Sequence, residues 1–329
     1  MREEITHGTK IYAEDASPDG GGFGDSARLS HSRVTMLCLK NGRYHRGFDQ
    51  NHMRNHPWVI LAFCMLAAPA AHAAEPVARQ PFSVNVGIER FRWEEFSSGQ
   101  RLLSETGPRL AVGFALDHLL HGDLANPYAM EVRGYVGLVD YDGQTQAGVS
   151  AKTDTDYFGV SGEVMGGLRL AGGLRMDLLG GLGLDTWSRD IQDGVTANGS
   201  TALGYQEDYF ILYGKLGPGF LFRSEARRAY LQFGLKYPLY TYERVYLSSI
   251  GYDSDVELEP GKKISGFAKW RMSWGKETDR SRFAASIYYD SFRFSASKSK
   301  TVSAAGVLYS VYQPESRMDV LGARLEYYF

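Results

Sequence analysis

From Phe82 to the last residue, apolar and polar side chains alternate with a period of two in one segment after another. Such alternation sends successive side chains to opposite faces of a β-strand. The clearest case is ISGFAKWRMSW, where Ile264, Ala268, Trp270, Met272 and Trp274 share one face and Ser265, Lys269, Arg271 and Ser273 share the other. In FSVNVGIERF the apolar face is Phe82, Val84, Val86 and Ile88, and Ser83, Asn85 and Glu89 lie opposite. The same reading predicts ten strands, starting at Phe82, Arg109, Ala129, Tyr157, Leu174, Phe210, Ala229, Ile264, Arg282 and Val320. After residue 74 no stretch approaches a membrane-crossing helix. The repeated pattern predicts an all-β fold, a transmembrane antiparallel up-and-down β-barrel of about ten strands with lipid outside and a polar lumen.

The connections alternate in length. His118 to Pro127, Ala171 to Gly173, Arg223 to Arg228 and Lys276 to Ser281 are short, whereas Glu94 to Gly107, Asp140 to Asp156, Trp187 to Asp208, Tyr242 to Lys262 and Ser295 to Met318 are long. Short periplasmic turns and long external loops give this asymmetry, and an even strand count leaves both ends of the barrel on the periplasmic side. A soluble β-sandwich also has frequent turns, but the terminal segment argues against it. In GARLEYYF, Gly322 is followed by Leu325, Tyr327 and Phe329 on one face, with Arg324, Glu326 and Tyr328 on the other. This segment resembles the C-terminal assembly signal of Gram-negative outer-membrane proteins. The resemblance covers only the last strand and is specific to the class, not to one family. It implies delivery to the barrel assembly machinery and a place in the bacterial outer membrane.

The one strongly apolar run lies inside the chain, in MRNHPWVILAFCMLAAPAAHAAEP. Met53 and Arg54 open it, Trp58 to Leu66 form its apolar centre, and Ala71-His72-Ala73 supplies small residues for a cleavage site. The run is too short to cross a bilayer and Pro69 interrupts it, so a signal peptide over 53–73 is expected, with the barrel as 74–329. The polar, Gly-rich residues 1–52 are expected to be a disordered, misassigned upstream extension, with Met53 as the true start. Cys38 and Cys64 both precede the cleavage site, which leaves no thiol for a disulfide or a metal.

Composition sharpens this picture. The chain holds 38 Gly, 21 Tyr and 17 Phe, a profile of tight turns and aromatic girdles. A formal net charge of -2 removes the basic footprint of a nucleic-acid binder. Under the predicted registers the inward charges include Glu131, Arg133, Arg175, Asp177, Lys269, Arg271, Asp290, Arg324 and Glu326, together with Glu89, Asp117, Glu163, Lys215 and Lys236. Both signs are mixed, and a barrel of this size has little room beyond its own side chains. An ion-paired, largely plugged lumen is therefore expected in preference to a narrow solute channel.

Enzymes on small barrels, such as the omptin proteases, the lipid A deacylase and palmitoyltransferase and the outer-membrane phospholipase, rely on a histidine that takes a proton near neutral pH. After Ala74 the only histidines are His118 and His121, in the first predicted periplasmic turn, so these hydrolase families are disfavoured. His118 and His121 with Asp117 and Asp123, and the loop pairs Asp140/Asp142, Asp154/Asp156 and Asp253/Asp255, complete no metal-binding pattern. They are read as solvated turn and loop residues, and no metal or cofactor is expected. The apolar GVLYSVYQP loop is left with three fates: folding into the mouth, extending a strand, or forming a contact surface. The expected role is non-enzymatic, in envelope structure or recognition of an external ligand, with outer-membrane lipid as the surrounding partner. N-terminal sequencing of the native protein is expected to read from near Ala74.

Overall fold

The computed structural model describes residues 10–13, 82–121, 126–145, 148–170, 175–224, 227–275 and 282–329. The predicted signal peptide lies outside the described residues. So does the upstream segment, apart from Lys10–Ala13, which pairs antiparallel with Tyr309 to Tyr312. Ten long strands form the barrel: β1 (Phe82–Ser97), β2 (Gln100–Asp117), β3 (Tyr128–Gln144), β4 (Ser150–Leu170) and β5 (Arg175–Ile191). They continue with β6 (Gln206–Arg223), β7 (Arg227–Val245), β8 (Ser265–Trp274), β9 (Arg282–Ser295) and β10 (Glu315–Tyr328). Each pairs antiparallel with its chain neighbours, and β10 closes the sheet on β1 from Ser83↔Tyr328 to Phe96↔Glu315. One further bond, from the Phe329 amide to the Phe82 carbonyl at 3.1 Å, ties the two ends.

The predicted faces hold. Phe82, Val84, Val86 and Ile88 point outward on β1, and large apolar residues are left bare on every strand, Ile88 at 64% and Leu325 at 65% exposure being typical. A continuous apolar exterior of this kind is stable against lipid, not against water. The belt gives way to polar residues further along the strands. Above it the outward positions become Arg90 and Arg92 on β1, Asp140 and Asp142 on β3, Asp154 and Asp156 on β4, Asp190 on β5, Asp208 on β6, Arg244 on β7, Arg293 on β9 and Arg317 and Asp319 on β10. On the long strands the membrane-spanning part is therefore the lower half, whereas the ten-residue β8 is apolar outward throughout.

The strands are longer than predicted, reaching 21 residues in β4, where about ten suffice to cross a bilayer. Much of what reads as long external loop is strand. The Glu94 to Gly107 connection is two strand ends joined at Ser98 and Gly99, both with positive φ (51° and 79°). The physical reason is plain: above lipid the pleat continues, but outward side chains turn polar while many inward ones stay apolar or aromatic, so the outward half of the hydrophobic signal disappears.

Three directly paired positions lock the lumen. Inward Gly159, Gly183 and Gly322 sit opposite Tyr135, Tyr213 and Tyr288, and each tyrosine ring occupies the space a Cβ on the glycine would need. Gly322 of the last strand thus makes room for a neighbouring ring. Gly183→Val is expected to lower the stability of the refolded barrel by about 1–3 kcal/mol through overpacking. Gly180→Val, on the open lipid face with nothing within 4 Å, should stay within about 0.5 kcal/mol in the same urea titration.

Candidate functional site

The lumen is filled with paired charges stacked in layers. Near the end that carries Phe82 and Phe329, Arg324 and Lys269 hold Glu131 at 2.6 and 3.2 Å. Arg271 meets Asp117 and lies 3.2 Å from Glu326. Asp177 takes Arg169 at 2.8 Å and the Tyr230 hydroxyl at 2.9 Å. Half-buried Arg175 lies two residues along the same face from Asp177. At mid-barrel, Glu89 accepts from Arg109 and Arg133, both at 2.7 Å, and from Tyr288 at 2.6 Å. Asp290 pairs with Lys236 at 2.8 Å, Glu163 with Lys215 at 2.6 Å, and Asp185 accepts from Tyr135 at 2.7 Å. In these two layers each buried carboxylate has a basic group or a hydroxyl beside it, as charges out of water require.

The lower end has a floor. Asp117 accepts from the amides of Leu119 (2.9 Å) and Leu120 (3.1 Å), capping a single helical turn, His118–His121. That turn lifts Leu119 and Leu120 into a buried cluster with Met165, Leu179, Leu221, Tyr230 and Phe267. Asp117 is therefore a buried cap and ion-pair partner, not the solvated turn residue expected. The His118 ring packs 4.5 Å from Tyr128, at the end away from the external rim. Asp123 lies outside the described residues.

The upper end has a lid. Its parts are the Leu247–Ile250 turn, the short strand Val256–Leu258 and the hairpin Lys300–Ala304/Val307–Tyr312. Val302, Ala304, Tyr309 and Val311 bury one hairpin face in a cluster with Leu247, Ile250, Tyr252, Phe292 and Phe294. The Asp253 amide donates to the Ser303 carbonyl at 2.8 Å, and Tyr252 meets Tyr309 edge to face at 5.4 Å. Asp255 receives Arg244 at 3.1 Å and the Ser248 hydroxyl at 2.6 Å, so these two aspartates fasten the lid and are not free loop charges. The GVLYSVYQP segment thus folds over the mouth, with only its tip, Gly306, Val307 and Leu308, exposed.

Between the lid and the mid-barrel lies a cluster that the sequence reading left in the loops: Glu95, Glu105, Arg189, Glu207 and Glu243, all fully buried. Arg189 Nε donates to both Glu105 oxygens at 3.0 Å, and Nη1 reaches Glu95 at 3.2 Å and Glu207 at 2.5 Å. Trp93 Nε1 donates to Glu95 at 2.9 Å, Tyr157 to Glu105 at 2.5 Å and Tyr209 to Glu207 at 3.0 Å. Trp93, Trp187 and Tyr209 wall the cluster, the last two stacked at 4.8 Å. With the Tyr209 proton given to Glu207, both Glu243 oxygens lack a hydrogen bond. The signal that would have found this cluster is the unbroken parity of Phe91-Trp93-Glu95, Trp187-Arg189 and Glu207-Tyr209.

Four carboxylates around one guanidinium cannot all stay ionised out of water. Burial, opposed by Arg189 and reinforced by Glu207 and Glu105, pushes Glu95 up to about 7, and burial with the Glu207 and Glu95 charges pushes Glu243 well above the usual carboxylate range. Among the described residues no group of three or more His, Cys, Asp or Glu side chains is arranged to hold a metal ion. The arrangement stores protons. A carboxyl whose folded pKa is raised stabilises the fold below its ordinary value near 4.5, and that contribution is lost as pH rises through about 7. Urea resistance of the barrel is therefore expected to fall between pH 5 and pH 8 by a few kcal/mol. Glu243→Gln should flatten this dependence and raise stability at pH 8; an unchanged profile in the variant would refute the assignment.

No known family model matches the chain, and no curated protein is similar to it in sequence. In architecture it is similar to the outer membrane protease OmpT from Escherichia coli, at 11% identity and TM-score 0.43 over 76% of this chain and 97% of that one. It is also similar to the transport unit of the autotransporter AIDA-I from Escherichia coli, at 11% identity and TM-score 0.35 over 80% and 96%. The translocator domain of NalP from Neisseria meningitidis gives 12% identity and TM-score 0.31 over 77% and 89%. By its own strand order and pairing, the chain is a closed ten-stranded antiparallel barrel.

Proposed function

We propose that this protein is a non-conducting, non-enzymatic barrel of the bacterial outer membrane, a rigid base that displays the surface of its lid to the exterior. The observation that carries the reading is closure at both ends by the chain's own packed side chains: the Leu119–Leu120 floor below and the apolar lid above, with paired charges between. The recess of about 330 Å³ lined by Arg244, Asp255, Glu257 and Lys300 lies at the lid. It is lined by the lid's own residues and so supports recognition from outside more than passage through. Export by the 53–73 segment and assembly through the last strand, with Gly322, Leu325, Tyr327 and Phe329, fit the same reading. Among the described residues no histidine lies at the external rim, which argues against the histidine-dependent hydrolases of small barrels. In planar bilayers the purified barrel is expected to give no steady unitary current. A reproducible open level from the unmodified protein would overturn the reading in favour of a narrow channel.

A further inference from the structure

The outward charges just above the lipid belt are sorted by sign around the barrel. Strands β3 to β6 carry Asp140, Asp142, Asp154, Asp156, Asp190 and Asp208 with Lys152 among them, whereas strands β9, β10, β1 and β2 carry Arg293, Arg317, Arg90, Arg92 and, at the β1–β2 hairpin end, Arg101, with Glu94, Asp319 and Glu315 among them. The register gathers these arginines. Arg317 lies opposite both Arg293 and Glu94, and Arg92 lies opposite Asp319. Arg90 lies opposite Leu321, one step above lipid-facing Ile88.

Their acidic partners are few. Buried Glu94 accepts from Arg92 at 2.6 Å and Arg317 at 2.5 Å, with Arg101 3.6 Å away, and Asp319 takes Arg293 at 2.7 Å. The side chains stay open to the exterior even so: Arg92 is 46%, Arg101 52% and Arg317 41% exposed. Arg90 is exposed and makes no ion pair among the described residues. Directly beneath this patch the wall is bare and apolar, formed by Ile88, Leu110, Leu321 and Leu325. Guanidinium forks over an aliphatic wall, at the level where lipid gives way to polar head groups, match an amphiphile with a phosphate head.

We propose that the outer face of β10, β1 and β2 binds a phosphorylated lipid of the outer leaflet, its phosphate held by Arg90, Arg92, Arg101 and Arg317 and its acyl chains laid on Ile88, Leu110, Leu321 and Leu325. This rests on the barrel being seated in a membrane by its apolar belt. Insertion of the protein into phospholipid vesicles tests that premise separately from lipid recognition.

The test is binding of lipid A and of its dephosphorylated form to the purified barrel in detergent, read by native mass spectrometry. The double variant Arg90→Gln/Arg101→Gln leaves Glu94 with its two close partners, Arg92 and Arg317. Lys152→Gln, on the acidic side, serves as control. The unmodified barrel is expected to retain lipid A about tenfold more tightly than the dephosphorylated lipid, and the double variant to lose that margin while the control keeps it. Equal retention of the two lipids, or an undiminished margin in the double variant, would overturn the proposal. Displacement of lipid A by inorganic phosphate at equal concentration would also overturn it, since the site would then recognise the free anion and not the lipid.

Discussion

Every backbone amide that faces hydrocarbon must find its partner within the protein, and a sheet meets that demand only by closing on itself. Here closure is made by β10 against β1, continued to the chain end by the Phe329 amide. Once the sheet is closed, inside and outside are fixed for every residue of every strand. The shift of register at Glu95/Phe96 sits at a strand end, and the one between Pro238 and Tyr240 is absorbed by a single extra outward residue, Leu239. Across each bulge the numbering of the inward face changes parity, from Lys236 and Pro238 to Thr241 and Glu243 on β7, but the same side of the sheet stays inside, and the internal chemistry follows from that.

A lumen too narrow for much water forces charges to be answered by charges. At lipid level the pairs are complete, as between Glu89 and its two arginines or Glu131, Arg324 and Lys269. Above the belt the balance changes, with four glutamates facing Arg189 alone. Protonation is a means of neutralising a buried carboxyl that has no cation, which makes this layer responsive to pH where the lower layers are held by ion pairs. The same boundary organises the exterior, where outward residues pass from leucine and valine to arginine on one side and aspartate on the other.

The two ends are closed by different devices for a related reason. The lower turn is short, so one capped helical turn, set by Asp117, suffices to lift two leucines under the barrel. The upper strands run on above the lipid, and their mouth is covered by a hairpin whose buried face joins the aromatic interior of the strand ends. Each closure removes apolar surface from water at a place where lipid cannot cover it.

The number of strands, their order and the outward faces of Phe82 to Ile88 and Ile264 to Trp274 were legible in the sequence. Period-two alternation against lipid is a local property, written residue by residue. The upper halves of the strands were not legible, because beyond the belt both faces mix polar and apolar residues and the contrast that marks a strand is lost. For that reason Glu95, Glu105, Arg189 and Glu207 read as loop residues although they are fully buried. Which carboxylate meets which cation, where the GVLYSVYQP segment rests, and which arginines share one outer face were decided only by the tertiary structure. Those contacts join positions far apart in the chain, such as Arg189 and Glu95, and sequence spacing carries no record of the curvature that brings them together.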